Sequence, residues 1–360
     1  VTVWQVLLTA SAVIGLSCMS AIAVIAVAKL RLGRAGVRTR ALLAPYRGAL
    51  IEMASGEDGD GQAKAVLYAV SAPTWDRLRP SVIAFLSRVR GAPAHDLGEL
   101  LRARGEIELA TRMLTSRSAA RRARAAYLLG LVRDPDSAAL VLPLLGDTDA
   151  DVRLVAARAL GAIGDPAAAS GVLDALRIGL PAWVAAEALL AMGVQIAPAL
   201  QIGLASDDAA VRNVCAQVAG HGTFPSAAPQ LRTLLAADSE GYVRASAAVA
   251  LGQVGDADDT AVLARHTEAS ETSALRRTCA TALGELGQRE GLDTLAGLLG
   301  DGDRRLASLA ADSLVRIGFE GIARLEEAAS TGQGPSARAA RGALDLAGLR
   351  APLASGSGRS

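Results

Sequence analysis

The acidic run Gly56-Glu57-Asp58-Gly59-Asp60-Gly61 is the first place in this 360-residue chain where residue types and spacing could do chemistry. Carboxylates at alternating positions are what a calcium loop uses. Counted from Asp58, however, the twelve-residue loop ends at Ala69, where a bidentate glutamate is required. The run therefore predicts a polar break and not a metal centre. His95, His221 and His266, like Cys18, Cys215 and Cys279, lie too far apart for zinc-ligand spacing or a disulfide framework. No GxSxG elbow presents a nucleophile to a histidine base, and no GxxxxGK[ST] loop cradles a phosphate. The expectation is a protein that is not an enzyme, with no catalytic residue, cofactor or metal ion.

Composition narrows the partners. Lys and Arg number 37 against 36 Asp and Glu, a formal charge of +1, so no broad positive field exists to hold nucleic acid. Hydrophobic residues make up 51% of the chain but aromatic ones only 3%, which points to closely packed, alanine-rich helices.

From Val3 to Ala28 no residue is charged, and Lys29, Arg31, Arg34, Arg38, Arg40 and Arg47 follow with no acid before Glu52. About 20 apolar helical residues cross a bilayer core, so residues 1–28 are expected to form a single transmembrane helix. The basic flank places the N-terminus outside and the remaining chain in the cytoplasm, anchored to the inner (cytoplasmic) membrane. A secretory signal would carry its positive charge before the apolar run. Cys18, in Gly15-Leu16-Ser17-Cys18, lacks the large aliphatic residue expected three places before a lipidated cysteine and reads as a small membrane-facing side chain. Ser11 with Gly15, and Ser17 with Ala21, would let another membrane helix approach.

The elements that must position any site come from a repeat. Val152-Arg153-Leu154-Val155-Ala156-Ala157-Arg158-Ala159-Leu160-Gly161-Ala162-Ile163-Gly164-Asp165-Pro166 returns as Val243-Arg244 through Leu251-Gly252-Gln253-Val254-Gly255-Asp256, and again as Leu275-Arg276 through Leu283-Gly284-Glu285-Leu286-Gly287. Closing positions at Arg133, Gly164, Gly193, Gly222, Gly255, Gly287, Gly318 and Gly348 fall 29 to 33 residues apart, the period of a helical pair. Val152, Val155, Ala156, Ala159, Leu160 and Ile163 form a helical apolar stripe. Gly164 supplies the left-handed stop, Asp165 the next cap and Pro166 its first turn. In this register His221 takes the place of Ile163 and Val254 and is expected to be a partly buried packing residue. Cys215 and Cys279, among alanines, are expected to be buried thiols.

Over residues 119–350 this pattern resembles the HEAT-repeat family, most closely its short bacterial form, the HEAT-like repeats of the phycobilisome-lyase type. The resemblance implies an all-α fold, a right-handed α-solenoid of helix pairs. The family's lyases and nucleic-acid enzymes provide an alternative function, for which no motif or basic, aromatic-rich groove is present. In many repeats an acid shortly precedes the arginine that opens the second helix: Asp147 before Arg153, Asp207 before Arg212, Asp238 before Arg244, Glu271 before Arg276. In the family such residues form a hydrogen-bond ladder along the stack.

The expected domains are a membrane helix at 1–28, a basic juxtamembrane segment and linker at 29–61, degenerate capping repeats at 62–118, the array at 119–350 and a Ser/Gly-rich disordered tail at 351–360. Helices are predicted over 41–54, 62–71, 74–90 and 97–116, the last with Leu97, Leu100, Leu101, Ile107, Leu109 and Leu114. The expected function is a membrane-anchored scaffold that binds membrane-associated protein partners on the solenoid surface, such as an accessory subunit of an envelope glycosyltransferase. Trp183 and Tyr242, with Arg153, Arg212, Arg244 and Arg276, are the candidate partner-binding residues, being of the types enriched at interface hot spots.

Overall fold

The computed structural model describes residues 44–58, 61–331 and 333–348. The predicted membrane segment, Cys18, the basic flank up to Arg40 and the tail at 351–360 lie outside the described residues. All regular elements among the described residues are helical, and the chain divides into two compact units between Leu109 and Ala110.

The first unit contains α1 (44–55), α2 (Gln62–Tyr68), α3 (Ala72–Leu86), α4 (Ala92–Ala103) and the start of α5 (Glu106–Met113). Asp58 ends up as a cap. Its two carboxylate oxygens accept from the Ala63 and Lys64 N–H groups at 3.0 and 2.9 Å, which satisfies orphan donors at the start of α2. At the other end of α2, Arg104 donates to the carbonyls of Leu67, Tyr68 and Val70 at 2.7–2.9 Å. The Arg104 guanidinium also lies 4.9 Å from the centre of the Trp75 ring. The buried Trp75 indole donates to Glu106 at 2.8 Å. Residues 97–116 do not form the single helix expected, because Gly105, at φ +71°, breaks it into α4 and α5. Likewise α2 stops at Tyr68, and α3 covers Ala72–Leu86 where 74–90 was expected.

In the second unit the repeat forms helix pairs, as in a solenoid. One layer holds α6 (Ala119–Val132), α8 (Ala150–Ile163), α10 (Ala182–Met192), α12 (Ala209–His221), α14 (Gly241–Val254), α16 (Ser273–Leu286), α18 (Arg304–Ile317) and α20 (Pro335–Leu346). The other holds α7 (Ala138–Val141), α9 (Ala169–Leu176), α11 (Ala197–Leu204), α13 (Ala228–Ala237), α15 (Asp258–Arg265), α17 (Leu292–Leu298) and α19 (Phe319–Ser330). Short 3₁₀ turns led by Pro135, Pro166 and Pro225 begin several helices of this second layer. Asp165 accepts from the Ala167 N–H at 3.0 Å, so Gly-Asp-Pro works as the helix-to-helix signal the sequence implied.

The spacing of the even-numbered layer is set by one residue per repeat, three places before each closing residue. A Cβ on Gly130, Gly161, Gly220, Gly252 or Gly284 would stand 2.7–2.9 Å from a Cα of the next helix, at Ala159, Ala188, Ala250, Ala282 and Ser313 respectively. Backbones therefore touch at these five junctions. Leu190 and Val315 hold the same register in α10 and α18, and there the neighbouring helices, α12 and α20, approach less closely.

The fourth closing residue is Thr223, at φ +55°, and not Gly222. This moves the register by one, so His221 aligns with Ala162 and Gln253 instead of Ile163 and Val254. It is accordingly exposed, its Nδ1 2.8 Å from the Gln217 carbonyl of its own helix, and not the partly buried packing residue expected.

Among the described residues no single helix is long and apolar enough to cross a membrane. The most apolar pair, Ala182–Met192 with Val194–Leu204, turns by 111° between its halves. Leu189, Ile196, Leu200 and Leu204 are buried in the array.

Candidate functional site

Two features of the second unit bear on function: a ladder of charges threading the even-numbered layer, and a break in it beside an exposed apolar repeat.

Each complete rung joins consecutive repeats. Arg122 donates through Nε and Nη2 to the two carboxylate oxygens of Asp147, both at 2.6 Å, and through Nη1 to the Ser116 carbonyl at 2.8 Å. Arg212 holds Asp238 in the same fork at 2.7 and 2.9 Å, and donates to the carbonyls of Ser206 and Asp207. Arg276 reaches Asp301 at 2.5 Å and the Thr267 carbonyl at 2.7 Å. Arg244 meets Glu271 at 3.4 Å, and the same carboxylate lies 2.8 Å from His266 Nδ1. So Asp147, Asp238 and Glu271 pair with the arginine of the preceding repeat. Asp207 stands apart: its partner is the exposed Arg177 at 2.7 Å, and Ser206 takes the ladder position.

The fork is the geometry in which guanidinium and carboxylate bind most strongly. The arginines hold Asp147, Asp238 and Asp301 below the usual carboxylate range, hydrogen bonding from Arg122, Arg212 and Arg276 being the main cause. The same aspartates turn the chain into the next helix. They accept from the N–H groups of Asp149, Glu240 and Asp303 at 2.8–2.9 Å. Arg212, Arg244 and Arg276, three of the candidate contact residues, are thus engaged inside the protein. A second buried carboxylate, Asp259, which the repeat pattern did not single out, takes Arg232 at 2.5 and 3.0 Å in the odd-numbered layer.

Arg153 differs. It donates only to the Asp147 and Thr148 carbonyls, at 2.8 and 3.4 Å, and has no carboxylate partner among the described residues; its buried Nε is unpartnered, as is that of Arg244. Beside it the surface changes character. Trp183 is 58% exposed, and its ring centre lies 5.0 Å from the Arg158 guanidinium, which also pairs with Glu187 at 3.3 Å. Trp183, Glu187 and Leu190 are spaced along one face of α10. Leu190 is exposed as well, and Val194 and Ile202 in the same repeat are 70% and 77% exposed. Tyr242, half exposed near the start of α14, stands apart from this group on its own helix. Sequence reasoning picked out Trp183 and Arg153 separately. Leu190, and the glycine that leaves Arg153 unpaired, were missed; an alignment through the closing residues shows the first, whereas Gly179 falls in the aspartate position only when the helix caps are aligned, because α10 begins three residues later in its repeat than its neighbours.

Other groups lack the geometry of a reactive centre. An open groove of about 280 Å³ between α12 and α14 is lined by Gln217, His221, Ser246, Gln253 and Thr278 among others, with no carboxylate to act with the imidazole. Among the described residues no cluster of three His, Cys, Asp or Glu side chains could hold a metal ion. Cys215 and Cys279 occupy one register, that of Ala156 and Ala247, and are fully buried. Burial pushes both thiols up to about 12. In a Cys18→Ser chain at pH 8, their reaction with a disulfide reagent should be roughly a thousandfold slower in the folded than in the unfolded protein. Equal rates in the two states would contradict the packing.

A family model described as HEAT repeats matches residues 107–193, 196–273 and 266–345, which together exceed half of the chain. No curated protein matches it. Among solved structures, human deoxyhypusine hydroxylase is 21% identical, with 83% of this chain and 98% of that chain covered and a TM-score of 0.30. The complex of CpcE and CpcF of phycocyanin lyase from Nostoc sp. PCC7120 is also 21% identical, covering 68% and 94%, with a TM-score of 0.30. A mutant of Kap121p is 14% identical, covering 78% and 38%, with a TM-score of 0.49. None of the three likenesses bears on what this chain binds.

Proposed function

Because the chain belongs to the HEAT-repeat family, whose stacked helix pairs build extended binding surfaces, we propose that it is a non-catalytic scaffold that binds protein partners on its even-numbered layer. The observation that carries this reading is the exposed apolar face of α10 with Trp183 at its head. A large aromatic side chain left in water, flanked by an arginine, is the residue type and setting in which interface energy concentrates.

The charge-free run at 3–28 and the basic flank behind it support anchorage in the cytoplasmic membrane with the repeats on the cytoplasmic side. A scaffold so placed would serve a membrane-associated client, such as an envelope glycosyltransferase to which it is an accessory subunit.

The test is cross-linking in native membranes, purification in mild detergent and mass spectrometry, on the parent chain and on Trp183→Ala. The parent should yield a stoichiometric partner cross-linked near α8 and α10. The variant should lose most of it while its thermal midpoint moves little, since an exposed cation–π contact contributes only about 0.5–1 kcal/mol. A variant that unfolds early yet binds normally when folded would make Trp183 a packing residue and remove the main support for this reading.

A further inference from the structure

The empty rung at Arg153 has a definable cause. Asp147, Asp238 and Asp301 each stand two residues before a helix cap, at Asp149, Glu240 and Asp303, and each receives the arginine of the preceding helix. Before α10 the cap is Pro181, and two residues earlier stands Gly179. A Cβ on Gly179 would lie 3.9 Å from Arg153 Nη2, which puts the glycine at the edge of the space a carboxylate fills in the other rungs. At the next junction both partners are absent together. Ser206 stands two residues before the cap of α12, and Ala185, four residues after the Pro181 cap of α10, holds the position that Arg153 and Arg212 hold in theirs. Among the described residues, only between α8 and α10 is the cation kept and the anion removed.

This vacancy adjoins the exposed stripe of Trp183 and Leu190, Trp183 being four residues after Gly179. Arg121 and Arg124 on the adjacent α6 are exposed and have no carboxylate partner among the described residues; of the nearby acids, Glu187 is occupied by Arg158 and Asp149 caps α8, while Asp151 is exposed at the start of α8. A half-buried guanidinium that has no carboxylate partner among the described residues is costly to leave so, and a carboxylate is its best complement. We infer that the partner docks at the α8–α10 junction through an acidic residue flanked by apolar ones, its carboxylate completing the rung on Arg153 and its apolar neighbours covering Trp183 and Leu190. This rests on the scaffold reading and specifies the chemistry of the partner.

The experiment presents the whole 360-residue chain, in detergent micelles, to a phage library of random twelve-residue peptides, and compares Arg153→Gln, Gly179→Asp and Gly179→Asn. Enriched peptides should carry Asp or Glu within three positions of Leu, Ile, Phe or Trp. Arg153→Gln should weaken them by about tenfold or more, the loss expected for one charge-assisted pair. Gly179→Asp should do the same from within, by occupying Arg153, and should melt above Gly179→Asn. The asparagine variant shares its backbone strain at φ +90° but carries no charge, and should bind peptides nearly as the parent does.

Enriched peptides without an acid, binding indifferent to Arg153→Gln, no enrichment at all, or equal midpoints for the two Gly179 variants would each overturn the inference. So would capture of phosphatidylcholine vesicles containing about one third phosphatidylglycerol that depends on Arg153 while no peptide binds, since the site would then belong to a lipid headgroup. A partner still cross-linked at Trp183 in the Arg153→Gln chain would reject the rung and keep the scaffold. Loss of every cross-link in the parent would reject the scaffold itself.

Discussion

Asp238→Ala should lower stability by about 3 kcal/mol near neutral pH, the range found when one partner of a buried ion pair is removed. Asp238 is the best-enclosed carboxylate of the ladder, its side chain 2% exposed against 13% for Arg212. Its removal strands the guanidinium fork and frees the Glu240 N–H that it also holds. The variant should also respond differently to acid. Arg212 keeps the Asp238 carboxyl below its unfolded value, and Arg122 and Arg276 do the same for Asp147 and Asp301. A group whose folded pKa is depressed contributes stability that is complete above the unfolded pKa, near 4, and is lost as pH falls through the folded one. The parent should therefore weaken steeply below about pH 4, and Asp238→Ala, with one such group fewer, less steeply. Urea unfolding from pH 7 down to pH 3 measures both. Parallel curves for parent and variant would mean that the Asp238 pair contributes nothing to acid sensitivity.

Gly161→Leu should cost about 2 kcal/mol, or roughly 4–8 °C in thermal midpoint for a unit of this size. Leucine gains a little under 1 kcal/mol over glycine in a helix interior. Against that, its Cβ would stand 2.7 Å from the Cα and 2.9 Å from the carbonyl oxygen of Ala188. Backbone cannot rotate away as a side chain can, so α8 and α10 must separate. The contrast is built into the protein, because Leu190 occupies the same register one repeat later, where the neighbouring helices stand further apart. Leu190→Ala, at an exposed position, should change stability by less than about 0.5 kcal/mol. An unchanged midpoint for Gly161→Leu in calorimetry would show that the close approach is not maintained in solution.

The helix-pair period, the Gly-Asp-Pro punctuation and the buried cysteines were legible because each is local: a stripe, a cap, a register among alanines. The closing residue of the fourth repeat was misplaced because Thr223 adopts a left-handed conformation that is normally glycine's, while Gly222, beside it, does not. The division at Gly105 was hidden because Leu100, Leu101 and Ile107 carry an apolar spacing across the break. Partner choice in the ladder lay beyond local reading. Asp238 precedes Arg244 by six residues yet binds Arg212, and only the stacking of whole repeats brings those two together. The empty rung is a difference among repeats that becomes visible once the helix caps are aligned.

The junction between α10 and α12 has a mechanical side. Leu190 stands where glycine brings other helix backbones into contact, and Ala185 and Ser206 stand where arginine and carboxylate would tie the repeats. In a stack whose energy is a sum of neighbour terms, compliance concentrates at the weakest neighbour. Thermal bending of this array therefore gathers at one interior joint. The α6–α10 block and the α12–α18 block are then the stiffer parts of the array, and a partner bound on the first, as proposed above, would leave the second free to adjust its angle.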